Sequence, residues 1–178
     1  MRILGICGSL RSESINLNLL RAARRLAPQG AVVEIFEGLE ALPLFNPDLE
    51  NRAPAVVERW MESVETADAL LIASPEYAHG VTGVLKNALD WLVASERFYG
   101  KPVAVLNAKP RAAHADAALR EILRTMSANL VESASVGVPD LREHPTEEEM
   151  AGNSEIVELL RRAVAALCAS ASVSSANT

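Results

Sequence analysis

The chain has 178 residues, of which 49% are hydrophobic and 22% charged, a composition typical of a globular protein rather than a disordered or collagen-like one. The net charge of −6 disfavours nucleic acid as a partner, because proteins that bind it non-specifically are usually basic. No apolar run reaches the roughly 18 residues of a membrane helix, so no membrane partner is expected.

Five short apolar runs alternate with five helical patterns along the chain. Strands are predicted at residues 2–7, 31–36, 67–73, 102–108 and 131–138, and helices at 15–26, 55–66, 81–94, 112–127 and 154–169. The segments 37–53 and 139–153 are predicted as loops, the second with an acidic, solvated run at 147–149. Residues 1–169 are expected to form one domain, and the small, polar residues 170–178 a disordered tail.

This alternation predicts an α/β fold of three layers, with a five-stranded parallel sheet between two layers of helices. The first, third and fourth strands are almost entirely apolar, as strands buried on both faces must be. The second and fifth carry polar residues such as Glu34 and Ser133, which is typical of edge strands. The order 2-1-3-4-5 satisfies both conditions and is the flavodoxin-like arrangement. A ligand then lies beyond the carboxyl ends of strands 1, 3 and 4, against loops 8–16, 74–80 and 109–115.

The first of these loops has the groups that a phosphate monoester needs. A helix begins after it, and a helix N-terminus offers unpaired N–H groups and partial positive charge. Ser9, Ser12 and Ser14 add hydroxyl groups, and Arg11 adds a full charge. The alternative is that the serines only cap the helix and Arg11 is solvated. The position after the first strand favours the phosphate site.

The two cysteines, Cys7 and Cys168, are too few for a disulfide framework and indicate a reducing, cytoplasmic setting. Cys7 precedes the first loop, but a cysteine phosphatase needs an arginine six positions after its nucleophile, where this chain has Glu13. Cys7 is therefore interpreted as a core residue. The glycine patterns of the dinucleotide fingerprint and of the P-loop are also absent from this loop.

The second loop has features that suit a flat ring. Pro75 stiffens it, Tyr77 can stack on or edge a planar heterocycle, and Gly80 permits close approach of the backbone. His79 is either a catalytic base or a surface histidine, and the second is favoured because no serine or cysteine nucleophile is placed to use it. No spacing of histidines and cysteines indicates a metal site.

The pairing of GSLRSESIN after strand 1 with SPEYAHGVTGVLKNALDWL after strand 3 resembles the NADPH-dependent FMN reductase family. This family of flavodoxin-like enzymes includes quinone, chromate and azo-dye reductases, and the resemblance covers about residues 2–110. It implies FMN and NADPH as cofactors, with hydride passing from NADPH to FMN and electrons then to a quinone, flavin or similar small acceptor. It implies no catalytic side chain, because the chemistry takes place on the flavin.

The resemblance also implies site residues. The FMN phosphate would be held by Ser9, Arg11, Ser14 and Asn16, with Ile15 among them. The edge of the isoalloxazine ring would be held mainly by backbone groups of Pro75, Glu76, Tyr77, Ala78, His79 and Gly80, with Ala78-His79 standing where the family commonly has Asn-Tyr. Lys109 and Arg111 replace the glycines usual in the third loop. Their charges would stabilise reduced flavin or hold an NADPH phosphate, or they are solvated.

The resemblance further implies a homodimer or homotetramer with the flavin near the subunit boundary, and the apolar loop 42–48 is a candidate wall for the partner's site. The competing function is a flavodoxin-type electron carrier with no NADPH activity of its own. Arg11 favours the enzyme, because flavodoxins generally avoid a full positive charge in their phosphate loop. The acceptor and the choice of NADPH or NADH remain open at this point.

Overall fold

The computed structural model describes residues 1–93, 95–109, 111, 113–139 and 145–176. The strands are β1 (Arg2–Cys7), β2 (Val32–Ile35), β3 (Ala69–Ala73), β4 (Glu76–Tyr77), β5 (Gly80–Val81), β6 (Pro102–Asn107), β7 (Asn129–Leu130) and β8 (Val136–Gly137). The helices are α1 (Ile15–Leu26), α2 (Ala55–Thr66), α3 (Gly83–Asp90), α4 (Ala113–Thr125), α5 (Glu147–Gly152) and α6 (Ser154–Ala176). Short 3-10 helices cover Leu39–Ala41, Pro47–Arg52, Glu96–Phe98 and Glu132–Ala134.

The main sheet is parallel and has the order β2-β1-β3-β6, with both β7 and β8 paired to β6. This confirms the predicted flavodoxin-like order, because β7 and β8 together occupy the fifth position. The predicted continuous strand 131–138 is wrong, since a 3-10 turn interrupts it. The Ser135 hydroxyl donates to the Val131 carbonyl (3.0 Å) and accepts from the Val105 N–H (3.1 Å), so a side chain replaces part of the backbone ladder.

Two hydrophobic cores lie on opposite faces of the sheet. One face packs against α1, α5 and α6, and the other against α2, α3 and α4. Trp60 is fully buried in the second core, where its Nε1 donates to the Ala88 carbonyl at 2.9 Å. Burying one large apolar side chain contributes roughly 1.5–3 kcal/mol. Because the apolar side chains of β1, β3 and β6 point to both faces of the sheet, the sheet is stable only with helices packed on each face.

The predicted loop 139–153 contains a helix, α5, and the prediction is wrong there. Thr146 and Glu149 form a capping box, in which Thr146 Oγ1 accepts from the Glu149 N–H (3.2 Å) and Glu149 Oε2 accepts from the Thr146 N–H (2.8 Å). Met150 is fully buried in the core that α1, α5 and α6 share, which fixes the helix. The Thr-x-x-Glu signature of a capping box is present in the sequence, but the loop prediction considers only the acidic run 147–149. Residues 140–144 lie outside the described residues.

The last helix continues to Ala176, so residues 170–176 are helical rather than a disordered tail. Ala171 is buried against the core, and Asn129 Nδ2 donates to Ser170 Oγ at 3.3 Å. Tertiary packing here outweighs the polar composition from which the tail was predicted. Residues 177 and 178 lie outside the described residues, as do Ala112 and Ala94 at two predicted helix ends.

Helix α3 begins later than predicted, because Val81 belongs to β5 and Thr82 caps the helix. None of the helices in the described ranges combines the length and apolar character needed to cross a membrane.

Candidate active site

A cleft of about 240 Å³ lies beyond the carboxyl ends of β1, β3 and β6. All three predicted loops line it, through Ser9, Arg11, Glu13, Ser14, Ile15, Asn16, Ser74, Pro75, Glu76, Tyr77, Asn107, Ala108 and Lys109. The parallel sheet thus brings together most of the predicted site residues. Ala78, His79, Gly80 and Arg111 do not line this cleft.

The first loop ends at the N-terminus of α1, whose first N–H groups are unpaired within the helix. Ser14 Oγ accepts from the Leu17 N–H at 3.5 Å, and the Ser14 carbonyl accepts from the Asn18 N–H at 2.9 Å. The N–H groups of Ile15 and Asn16 therefore have no intrahelical acceptor. The favourable partial charge of the helix end is available to an anion in the cleft.

Asn16 is 2% exposed, yet its Oδ1 has no hydrogen-bond partner among the described residues. A buried polar atom without a partner is rare, and its desolvation costs about 1–3 kcal/mol. Asn16 also lines the cleft beside the helix N-terminus, so this end of the cleft is polar and suits an anionic ligand.

The first and second loops meet at Gly8. The Gly8 N–H donates to the Ala73 carbonyl (2.8 Å), and the Gly8 carbonyl accepts from Thr82 Oγ1 (2.7 Å). A Cβ atom at Gly8 would lie 2.2 Å from Ser74 Oγ, so only glycine permits this approach. Thr82 is 3% exposed and its Oγ1 also accepts from the Leu85 N–H at 3.4 Å. One buried hydroxyl thereby joins the two loops and caps α3.

The second loop is a small antiparallel hairpin formed by β4 and β5. Its two central residues, Ala78 and His79, have φ of 50° and 58°, the left-handed pair of a type I′ turn. Asparagine and glycine suit these positions, whereas alanine costs roughly 1–2 kcal/mol there. The three residues at this turn, Ala78, His79 and Gly80, do not line the cleft.

The Glu76 carboxylate binds the protein itself. Its Oε2 accepts from the Ala115 N–H at 2.8 Å near the start of α4, and its Oε1 lies 3.1 Å from His79 Nδ1. The hydrogen bond from Ala115 lowers the pKa of Glu76. The His79 ring also packs edge-on against His114, with centroids 4.5 Å apart. In the described part of the chain, no three His, Cys, Asp or Glu side chains are grouped to hold a metal ion.

Of the predicted third loop, 109–115, Lys109 is the described residue that lines the cleft. Asn107 Oδ1 accepts from the Lys109 N–H at 3.0 Å, and Ala108 is buried below it. Lys109 is exposed and lines the cleft, whereas Arg111 is exposed outside it.

A family model described as NADPH-dependent FMN reductase matches residues 1–142. The chain belongs to this family. The resemblance predicted from the two loops is thereby confirmed, and FMN and NADPH are the cofactors of the family as its description names them.

Two curated relatives and one solved structure illustrate the membership of this chain in the FMN reductase family. A NAD(P)H-dependent FMN reductase of Pseudomonas aeruginosa is 44% identical over 111 residues, covering 61% of this chain and 60% of the relative. A NAD(P)H:quinone oxidoreductase of Solanum tuberosum is 43% identical over 96 residues, covering 51% of this chain and 49% of the relative. This chain thus spans no more than 60% of the length of these relatives. The flavoenzyme NAD(P)H:(acceptor) oxidoreductase FerB of Paracoccus denitrificans superposes with a TM-score of 0.79 at 27% identity, over 97% of both chains.

The cleft fits the FMN of this reductase family. The helix N-terminus and Arg11, which border the cleft, suit its phosphate. Sequence reasoning missed Ser74, Asn107 and Thr82, which line or brace the cleft. The first two could have been found, since they are the first polar residues at the ends of β3 and β6. The role of Thr82 depends on a contact between distant loops and carries no sequence signal.

Proposed function

We propose that this chain is an FMN-dependent NAD(P)H oxidoreductase that passes electrons to a quinone, a flavin or a similar small acceptor. Residues 1–169 would supply the whole site as a single domain. The helix N-terminus with unpaired N–H groups beside Arg11 in this cleft carries this proposal, because both suit the phosphate of FMN.

The first loop would hold the phosphate end of the cofactor. The N–H groups of Ile15 and Asn16 and the hydroxyls of Ser9 and Ser14 would donate to the phosphate oxygens, and Arg11 would neutralise charge. Arg11 is exposed at the cleft and forms no ion pair within the described residues. It can therefore turn toward a ligand without breaking an existing contact.

The second and third loops would hold the ring. Backbone groups of residues 75–77, which line the cleft, would face the ring edge, and Tyr77, which is 59% exposed, would cover one side. Lys109 at the cleft and Arg111 near it would attract the anionic nucleotide. When bound, FMN supplies the hydride and electron transfer. The chain contributes binding, orientation and a partly open face for the second substrate.

Anaerobic reduction tests the proposed function. The full chain is loaded with FMN, excess flavin is removed, NADPH or NADH is added, and the visible absorbance of the bound flavin is followed. Rapid bleaching, followed by reoxidation when a quinone is added, is expected. If the chain retains FMN but neither NADPH nor NADH bleaches it, the chain would instead be a flavodoxin-type electron carrier. Failure of the chain to retain FMN would contradict the assignment of this cleft as the FMN site.

We also infer that two copies of the chain associate through the loop after β2. Asn87 Nδ2 and Trp91 Nε1 both donate to the Pro43 carbonyl, at 3.0 and 2.9 Å, and the Phe45 N–H donates to Asn87 Oδ1 at 2.8 Å. These bonds fix the loop to α3 while Leu44 is 82% exposed. The family resemblance implies a homodimer, and this ordered loop with its exposed leucine is the surface that we assign to the subunit interface.

Sedimentation of a Leu44→Asp variant tests the association. The wild-type chain should sediment as a dimer or tetramer and the variant as a smaller species. Val173→Asp, at a residue 64% exposed on α6, is the control and should sediment like the wild type. An unchanged oligomer in the Leu44 variant would place the interface elsewhere.

We propose a reducing, cytoplasmic location for the chain. Both cysteines are free thiols, and burial raises the pKa of Cys7 and of Cys168, which keeps them protonated. Cell fractionation should recover the chain in the cytoplasmic fraction. Recovery in a periplasmic or membrane fraction would contradict the proposal.

A further inference from the structure

A small cavity of about 10 Å³ lies behind the wall of the candidate active site. Ser74 and Asn107 line both spaces, so they form a shared wall. The other residues that line the small cavity are Val81, Val105, Leu106, Ala115, Asp116 and Leu119. Apart from Asp116 these are apolar, and the FMN site does not account for a carboxylate among them.

The shared wall lies where β3, β6 and α4 meet. The parallel pairing of the two strands places Ser74 beside Asn107, where β3 and β6 end. The Ala115 N–H near the start of α4 donates to Glu76 Oε2 at 2.8 Å, which joins that helix to the second loop. Asp116 is the next residue of α4 and is thereby held close to the wall.

The two oxygens of the Asp116 carboxylate have different surroundings. Oδ2 accepts from Arg120 Nε at 2.7 Å. Oδ1 is buried and has no hydrogen-bond partner among the described residues. A buried carboxylate oxygen needs a donor, because an unpaired polar atom is costly to remove from water. The cavity that Asp116 lines has room for about one water molecule, which can supply that donor.

Ion pairs fix Asp116 from the solvent side. Arg120 Nη1 donates to Glu132 Oε2 at 2.6 Å, and Arg124 Nη2 donates to Glu132 Oε1 at 2.9 Å. The side chains of Asp116 and Arg120 are 21% and 17% exposed, whereas that of Glu132 is 59% exposed. A braced guanidinium therefore holds Oδ2 of Asp116, and Oδ1 remains turned away from solvent.

We propose that Asp116 is a positioning residue for the cofactor. One water molecule in the small cavity links Asp116 Oδ1 to polar groups of Ser74 and Asn107, and this bridge fixes the wall beside which the flavin ring lies. The inference rests on the proposed function and deepens it, because it adds a residue outside the cleft to those that orient the ring. The negative charge of Asp116 behind the wall also disfavours added electron density on the ring.

Two substitutions at Asp116 separate the water bridge from the charge. Asp116→Leu has no hydrogen-bonding atom in its side chain and should weaken FMN binding about fivefold in a fluorescence titration. Asp116→Asn keeps polar atoms for both the water and Arg120, and it should bind FMN within about twofold of the wild type. Both variants remove a negative charge, so the midpoint potential of the bound flavin should rise in each.

Glu132→Leu is the matched control. It takes the other carboxylate from Arg120 and introduces the same side chain, but Glu132 does not line the cavity. Its FMN affinity and midpoint potential should match those of the wild type. Equal FMN affinity of Asp116→Leu and the wild type, or equal losses in Asp116→Leu and Glu132→Leu, would overturn the proposal.

A crystal structure of the full chain loaded with FMN tests the bridge even if Asp116→Leu does not fold. An ordered water within hydrogen-bond distance of Asp116 Oδ1 is expected, and a structure with no water there would overturn the proposal. If the water and the effects at Asp116 are found but neither nucleotide bleaches the flavin, the proposed function fails and the role of Asp116 remains. A chain that retains no FMN would overturn both.

Discussion

The first and second loops border the same cleft but use their polar groups in opposite ways. In the first loop the Asn16 amide oxygen and the N–H of Ile15 have no partner within the described residues. In the second loop the Glu76 carboxylate accepts from Ala115, and the buried hydroxyl of Thr82 donates to Gly8. One loop therefore keeps its donors and acceptors for a ligand, and the other uses its own to hold the shape of the cleft.

Because of this difference, mutations in the two loops should affect different properties, namely cofactor binding and stability. Substitutions of ligand-facing groups in the first loop should weaken cofactor binding while leaving the fold intact. Substitutions at internal contacts should lower stability first, and binding only as a consequence. Four experiments separate these cases, beginning with the junction where both effects coincide.

Gly8→Ala should have the largest effect. Its Cβ atom would lie 2.2 Å from Ser74 Oγ and 2.7 Å from Ser74 Cβ, so the two loops must move apart. We expect a loss of about 3 kcal/mol in the free energy of unfolding, the upper range for overpacking, together with loss of FMN binding. Chemical denaturation and a fluorescence titration with FMN measure the two quantities. Gly83→Ala is the control, because no atom lies within 4 Å of its Cβ position and the helix favours alanine.

Arg11→Ala should weaken FMN binding by about 1–3 kcal/mol, the range for a charge-assisted hydrogen bond. The free energy of unfolding without FMN should stay within about 0.5 kcal/mol of the wild type, because the side chain is exposed and unpaired in the described residues. Arg25→Ala, an exposed residue outside the cleft, is the control. Unchanged FMN affinity in the Arg11 variant would remove this residue from the phosphate site.

The sequence predicted the features that depend on local pattern. Apolar runs located β1, β3 and β6, and their order placed the three loops at one edge of the sheet. It did not predict contacts between distant segments. The hydroxyl of Ser135 that interrupts the fifth strand, and Thr82 braced against Gly8, depend on neighbours 30 and 74 residues away. Helix α5 differs from the prediction for another reason: its Thr-x-x-Glu capping box is a local signal, but the prediction of a loop there rests on the acidic run alone.

Glu76→Gln should lower stability in a pH-dependent way. The Ala115 hydrogen bond lowers the pKa of Glu76 in the folded chain below its ordinary value of 4.5. A carboxyl with a lowered pKa stabilises the fold fully above pH 4.5, and this contribution is lost as the pH falls through the folded-state pKa. The melting temperature of the wild type should therefore exceed that of the variant at pH 7.

The two melting temperatures should converge as the pH falls below 4.5. Glu121→Gln, an exposed carboxylate on α4, is the control and should show no such convergence. A constant difference between wild type and Glu76→Gln from pH 7 to pH 3 would mean that the charge of Glu76 does not stabilise the start of α4.

Ala78→Gly should have the smallest effect and the opposite sign. Alanine at φ 50° costs roughly 1–2 kcal/mol, and glycine removes this penalty while adding about 0.4–1 kcal/mol of entropy to the unfolded chain. The free energy of unfolding should rise by about 0.5 kcal/mol by chemical denaturation. Ala53→Gly, at φ −58°, lacks the penalty and should lose about 0.4–1 kcal/mol. Equal losses in both variants would show that the turn is unstrained. If the strained turn preorganises the ring edge, Ala78→Gly should also weaken FMN slightly, by less than about twofold, because a glycine turn is freer before the cofactor binds.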